Sequence, residues 1–132
     1  MPSHTFKRQE RLKSRKIIQS LFREGQAVSA FPLRLIWLRT SLPSSTYPAQ
    51  FTLTVPKRSF PKATDRNLLR RQIRESYRLR KHVFYEKISN SDVQVAVLAI
   101  YVGKEPLPYK VIDKAMRKAL TRLSKKVMEA KA

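Results

Sequence analysis

The chain of 132 residues contains no cysteine, only nine acidic residues and only two glycines, and each shortage closes off a class of function. Without cysteine there is neither a disulfide framework nor a thiolate metal site. The nine carboxylates are scattered, whereas a metal-dependent nuclease gathers several around one or two magnesium ions. Asp65 and Glu75 share a helical stretch but stand about three turns apart, too far to hold one ion. The two glycines make no glycine-rich phosphate loop, the two histidines, His4 and His82, are isolated surface candidates, and no Ser-His-Asp set has a recognisable context. No apolar run approaches the roughly 18 residues of a transmembrane helix, and the opening MPSHTFKRQERLKSRK lacks the apolar segment of a secretory signal. No catalytic side chain and no protein-held metal is expected, no membrane is implied, and the cytoplasm is the expected compartment.

What the sequence has in abundance is positive charge. Lys and Arg number 29, the formal net charge is +20, and 42% of residues are hydrophobic. That apolar content separates the chain from disordered sequences, which combine high charge with few apolar residues. Its length suits one domain, residues 1–132, with one core. Charge of this size repels itself in a compact state, and a polyanion, nucleic acid first of all, would neutralise it.

Residues 1–11 are polar and basic, either an arm that orders against a partner or a frayed terminus. From Leu12 the pattern turns helical, with Ile17, Ile18, Leu21 and Phe22 on one face and Gly25 at the C-terminal cap. Residues 31–40, FPLRLIWLRT, and 49–55, AQFTLTV, read as strands, the second closed by Pro56. Thr64 or Asp65 can cap a helix running to about Lys87, which SNSD then breaks. VQVAVLAIYV, residues 93–102, is apolar at both parities and predicts a central strand. In a last helix Ile112, Met116, Ala119, Leu120, Leu123 and Val127 form the buried stripe, with Lys110, Lys114, Lys118, Arg122 and Lys125 opposite. The order α-β-β-α-β-α predicts an α+β fold.

The stretch DRNLLRRQIRESYR, residues 65–78, carries the most information. A rotation of about 100° per residue places Leu69, Ile73, Ser76, Val83 and Phe84 on one side, with Tyr77 at its edge. Asn67, Arg70, Arg71, Arg74, Arg78 and Lys81 fall on the opposite third. Like charges at these spacings cost a few tenths of a kcal/mol per pair, and a merely solvated face would interleave Glu with Arg. Arginine also suits phosphate, because its planar fork donates two parallel bonds. Lys57, Arg58 and Lys62 extend the patch past the helix N-terminus, and Asn67 can bond a base edge or a ribose hydroxyl. Arg80 falls within the apolar stripe, where it snorkels or pairs with an acid such as Glu86.

TVPKR followed by ATDRNLLRRQIRESYR resembles the signature of the protein component of bacterial ribonuclease P: a basic pair after a strand, then Arg-Asn, two residues, a basic pair, two residues and Arg-Glu. Lys57, Arg58, Arg66, Asn67, Arg70, Arg71, Arg74 and Glu75 stand at those places. RLKSRKIIQSLFREG is similar to the family's N-terminal stretch. Leu68, Gln72 and Ile18 depart from the family's usual residues. The resemblance implies an α-β sandwich with a left-handed βαβ crossover. It further implies a noncatalytic subunit that binds a catalytic RNA and helps it remove the 5′ leader of precursor tRNA, with magnesium held mainly by the RNA. The RNA-binding set is then Lys57, Arg58, Lys62, Arg66, Asn67, Arg70, Arg71, Arg74 and Arg78. A cleft between the first helix and the sheet would hold the single-stranded leader, with Ile18, Phe22, Ile36 and Trp37 as candidates, each equally capable of ordinary core packing. Strand parity leaves open which of Ile36 and Trp37 faces the cleft. A ribosomal or other structural RNA-binding protein would share the charge and size, and a protein-only nuclease is disfavoured by the scattered acids.

Overall fold

The computed structural model describes residues 5–43, 45–89 and 93–131. A 3₁₀ turn at Arg8–Glu10 precedes α1 (Arg15–Glu24), β1 (Gln26–Ala30), β2 (Leu33–Arg39), β3 (Ala49–Thr54), α2 (Ala63–Ser89), β4 (Val95–Tyr101) and α3 (Tyr109–Lys131). The four strands form one sheet in the order β1-β2-β4-β3. β1 and β4 both run antiparallel to β2, while β3 lies parallel to β4, so α2 is the crossover between two parallel neighbours. β4 is central, and Val95 to Ala99 are buried at both parities, as its unbroken apolar run demands.

The sheet separates two apolar layers. Along β2, alternation sends Leu33, Leu35 and Trp37 to one side and Ile36 and Leu38 to the other. The first side meets Phe51, Val97 and Tyr101 of its neighbours and is covered by α2 and α3 through Leu69, Ile73, Tyr77, Ile112, Met116 and Leu123. The second side, with Ala96, Leu98 and Ile100, is covered by α1 through Ile17, Ile18 and Leu21, together with Leu12. Helices thus lie on both faces of the sheet, as expected of an α-β sandwich.

α1 begins where Ser14 accepts a hydrogen bond from the Ile17 amide at 3.3 Å, and Gly25 caps its end, its N–H donating to the Leu21 carbonyl. The glycine is required by proximity. A Cβ at Gly25 would lie 2.3 Å from the Leu21 carbonyl oxygen and 2.6 Å from Ile36 Cγ2, which sets how closely α1 approaches β2.

The structure corrects several sequence expectations. β1 was not expected; QAVSA is short and rich in small residues, and pairing with β2 supplies what its own pattern does not. The element order is therefore α-β-β-β-α-β-α. α2 begins at Ala63, before either proposed cap. The break expected at SNSD lies mostly outside the described residues, as do His4 and the first four residues of the expected arm.

The rest of that arm is docked rather than loose. Phe6 meets Phe51 and Tyr77 edge-on, with centroids 6.2 and 5.7 Å away, and the Leu12 amide donates to the Phe51 carbonyl at 2.9 Å. Glu10 is fully buried and forms an ion pair with Lys81, which also donates to the Thr5 carbonyl. The Tyr85 hydroxyl donates to the same carboxylate at 2.9 Å. Lys81 consequently leaves the charged face on which the helical projection had placed it. Tyr77, projected at the edge, is fully buried and stacks on Phe51 at 3.8 Å, and burial pushes its hydroxyl pKa up. Val83, projected inward, is 46% exposed. The docked segment draws the buried arc of α2 towards Lys81 and away from Val83.

Candidate nucleic-acid interface

Arginine and lysine side chains are brought together where the N-terminal half of α2 passes the outer edge of β3. Lys57, Arg58 and Lys62 are exposed in the loop before α2, and Asn67, Arg70, Arg71 and Arg74 are exposed on its first turns. Among the described residues none of the six cations in this set enters an ion pair. Arg70 and Arg74 line a groove of about 440 Å³ with Arg11 and Lys13 from the N-terminal segment and Phe51, Thr52 and Leu53 from β3. Phe6 and Leu12 complete its wall. Four cations thus stand around the partly exposed Phe6, Thr52 and Leu53, with Phe51 and Leu12 buried beneath, an arrangement chemically suited to phosphate.

Two members of the expected set have other partners. Arg66 is half-buried, and its Nη1 donates to the carbonyls of Phe60 and Pro61 at 2.8 and 2.9 Å, so it braces the loop that carries Lys57 and Arg58. Arg78 donates twice to Glu75, at 2.6 and 3.1 Å, and this contact holds the Glu75 carboxyl below its usual range. The arginine face is thereby closed at its C-terminal end by an acid. Arg80 pairs with Asp113 of α3, not with Glu86: Nε and Nη2 reach its two oxygens at 3.0 and 2.6 Å, and the Ser76 hydroxyl donates to Oδ1 at 2.7 Å.

The cleft residues divide between the faces of the sheet. Ile18 and Ile36 lie in the α1 layer, only partly covered, and Phe22 is 63% exposed on α1. Trp37 is 3% exposed in the opposite layer, so its assignment to the cleft is corrected. Its side chain follows Leu33 and Leu35 by strand alternation, and the helical layer is thick enough to enclose an indole. The cleft candidates left out Ile17, which the sequence had placed on the same helix face as Ile18, and Leu38 and Ile100 of the sheet, all of which share this partly covered layer. Sequence reasoning missed Arg11 and Lys13 at the groove; their basic character was visible, but their docking depended on Phe6, Glu10 and Leu12.

The family model described as Ribonuclease P matches residues 6–124. The chain belongs to the ribonuclease P protein family. Two curated relatives from Porphyromonas gingivalis strains, each a ribonuclease P protein component, are 29% identical over 123 residues and 30% identical over 115. The first alignment covers 93% of this chain and 89% of the relative, the second 87% and 83%. In fold, the chain is similar to the ribonuclease P proteins of Thermotoga maritima, with a TM-score of 0.67 and 21% identity, and Staphylococcus aureus, with 0.65 and 16%. These superpositions cover 86% of this chain in both cases, and 96% and 94% of the respective neighbours.

As a member of this family the chain is part of a ribonuclease complex and acts with an RNA subunit in 5′ processing of tRNA, and a ribosomal or other structural role is not favoured. The Arg-Asn and Arg-Glu spacing that carried the resemblance falls in the N-terminal half of α2, where Asn67 and Arg74 are exposed and Arg66 and Glu75 are half-buried. Leu68, a departure from the family pattern, is 39% exposed there.

Proposed function

We propose that this subunit supplies binding without chemistry. The exposed cations of the loop and of α2 hold the catalytic RNA, and the part-covered apolar surface between α1 and the sheet, with Ile18, Ile36 and Phe22, holds the single-stranded leader of precursor tRNA. The supporting observation for the first contact is the unpaired cluster of Lys57, Arg58, Lys62, Arg70, Arg71 and Arg74, together with Asn67. Arginine forks without an internal partner are free to engage phosphate.

The carboxylates do not fit a protein-held magnesium. Glu10, Glu75 and Asp113 are each engaged by a lysine or arginine of the chain, and no three acids or histidines converge among the described residues. Magnesium in this reading is held mainly by the RNA. The compartment is the cytoplasm; among the described residues no helix is long and apolar enough to cross a membrane.

Reconstitution tests the proposal. The protein, mixed with a ribonuclease P RNA and precursor tRNA at low magnesium, is expected to stimulate removal of the 5′ leader and to cleave nothing alone. Engagement of about six phosphates gives a log-log salt slope on the order of −4 to −5. Cleavage by the protein alone, or an affinity for the RNA indifferent to salt, would overturn it.

A further inference from the structure

The α2 surface accounts for only part of the positive charge. On α3, Lys110, Lys114, Arg117, Lys118, Arg122 and Lys125 are all exposed, and the last five border one shallow depression of about 460 Å³. The helix contributes no exposed acid along this stretch. Asp113 is buried against Arg80, and Glu129 lies beyond it, 3.8 Å from Lys126.

This arrangement is unfavourable for an isolated helix. Cations suit the last turn of a helix, where the dipole is negative, yet Lys110 and Lys114 occupy the beginning, and no acid stands in the first turn. Lys110, Lys114, Lys118 and Arg122 follow one another at intervals of four, so each neighbouring pair is repulsive. Each interval advances about 6 Å along the axis, close to the step between successive phosphates of one strand.

We infer that the outer face of α3 is a second RNA-binding surface, one that takes the phosphate backbone of a base-paired segment of the ribonuclease P RNA. The inference rests on the functional reading above. A duplex is favoured over a single strand because no aromatic ring borders the depression, so unpaired bases would find nothing to stack on. Lysine predominates, as suits point-charge contact with phosphate rather than bidentate recognition. The RNA subunit is favoured over precursor tRNA because α3 belongs to the same helical layer as α2, whereas the proposed leader surface lies across the sheet, under α1. Arg122 also donates to the Ser29 carbonyl of β1, which fixes this end of the row against the sheet.

The test uses the full chain with Lys114→Gln, Lys118→Gln and Lys125→Gln combined, leaving Arg122 in place. Binding to the ribonuclease P RNA is titrated across salt concentrations, and binding of precursor tRNA to the assembled holoenzyme is measured separately. Loss of three phosphate contacts is expected to flatten the salt slope by about 2 to 3 and to weaken RNA binding on the order of tenfold to a hundredfold. Precursor tRNA affinity of the saturated holoenzyme is expected to stay as in the parent chain, and the thermal midpoint of the free protein to stay level or rise slightly as the repulsion between neighbouring lysines is relieved. The matching Lys→Arg triple variant should retain the parent slope.

An unchanged slope and affinity in the glutamine variant overturns the inference, as does an effect confined to precursor tRNA or an equal loss in the arginine variant. If the parent protein itself fails to bind the RNA, the functional reading fails instead, and the two failures are told apart by that control.

Discussion

On the side of the sheet that carries α2 and α3, Leu33, Leu35, Phe51, Val97 and Tyr101 are at most 2% exposed; on the α1 side, Ile17, Ile18, Ile36, Leu38 and Ile100 are only partly covered, and Phe22 stands 63% exposed. Helix length explains the difference. α2 and α3 comprise 27 and 23 residues and α1 has ten, so the first two span about 40 and 35 Å and the last about 15 Å. One short helix cannot close a face four strands wide. The closed face holds the molecule together, and the half-closed face leaves apolar side chains able to meet a ligand.

The comparison is broken most severely by opening the closed face. Phe51→Ala removes a ring stacked on Tyr77 and touched by Phe6, with an expected cost of about 3–5 kcal/mol, read from urea unfolding. Because Phe6 loses one of its two ring partners, the N-terminal segment should also become more susceptible to limited proteolysis. A cost below 1 kcal/mol would mean that this cluster contributes little to the core.

A smaller effect is expected where the two helices of the closed face are tied by charge. Asp113→Asn weakens the contacts with Arg80 and Ser76 and should cost about 1.5–3 kcal/mol at neutral pH. The hydrogen bonds from Arg80 hold the Asp113 pKa below its ordinary value. Its contribution is therefore complete above the unfolded-state pKa and disappears as pH falls through the depressed native one. Unfolding measured from pH 7 downward should show the gap between parent and variant constant to about pH 4 and closing below it; a gap independent of pH would remove the carboxylate from the explanation.

These two sites also mark how far the sequence could be read. The apolar parity of β4, the stripe Ile112 to Val127 on α3 and the exposed arginines at 70, 71 and 74 were legible, because each follows from a period within one element. Lys81 was misplaced, and Arg80, rightly read as pairing with an acid, was given Glu86 as its example, because the actual partners, Glu10 and Asp113, lie 71 and 33 residues away, and a helical projection contains no tertiary neighbours. Trp37 was ambiguous for a related reason. Alternation separates it from Ile36 but does not say which side carries the long helices. β1 escaped notice because a short edge strand of small residues has little pattern of its own.

At the seam of the half-closed face, Gly25→Ala should cost about 1–3 kcal/mol, the range for overpacking. The added methyl meets the Leu21 carbonyl and Ile36 Cγ2 and should tilt α1 away from β2. If urea unfolding finds no loss, α1 is already free to shift on the sheet.

The smallest change in stability, and the one that separates the two faces best, is expected at Phe22. Its ring is mostly in solvent, so Phe22→Ala should alter unfolding by no more than about 0.5 kcal/mol. If the ring instead receives a base of the leader, the reconstituted enzyme should bind precursor tRNA more weakly by about 1–3 kcal/mol, the range for base-aromatic stacking. Substrates differing only in leader length give the decisive control. A leader too short to reach α1 should bind parent and variant equally, because the contact that Phe22 supplies is then absent from both. An equal loss with short and long leaders would place the effect elsewhere, and a matching loss of folding stability would return Phe22 to the core that its exposure says it has left.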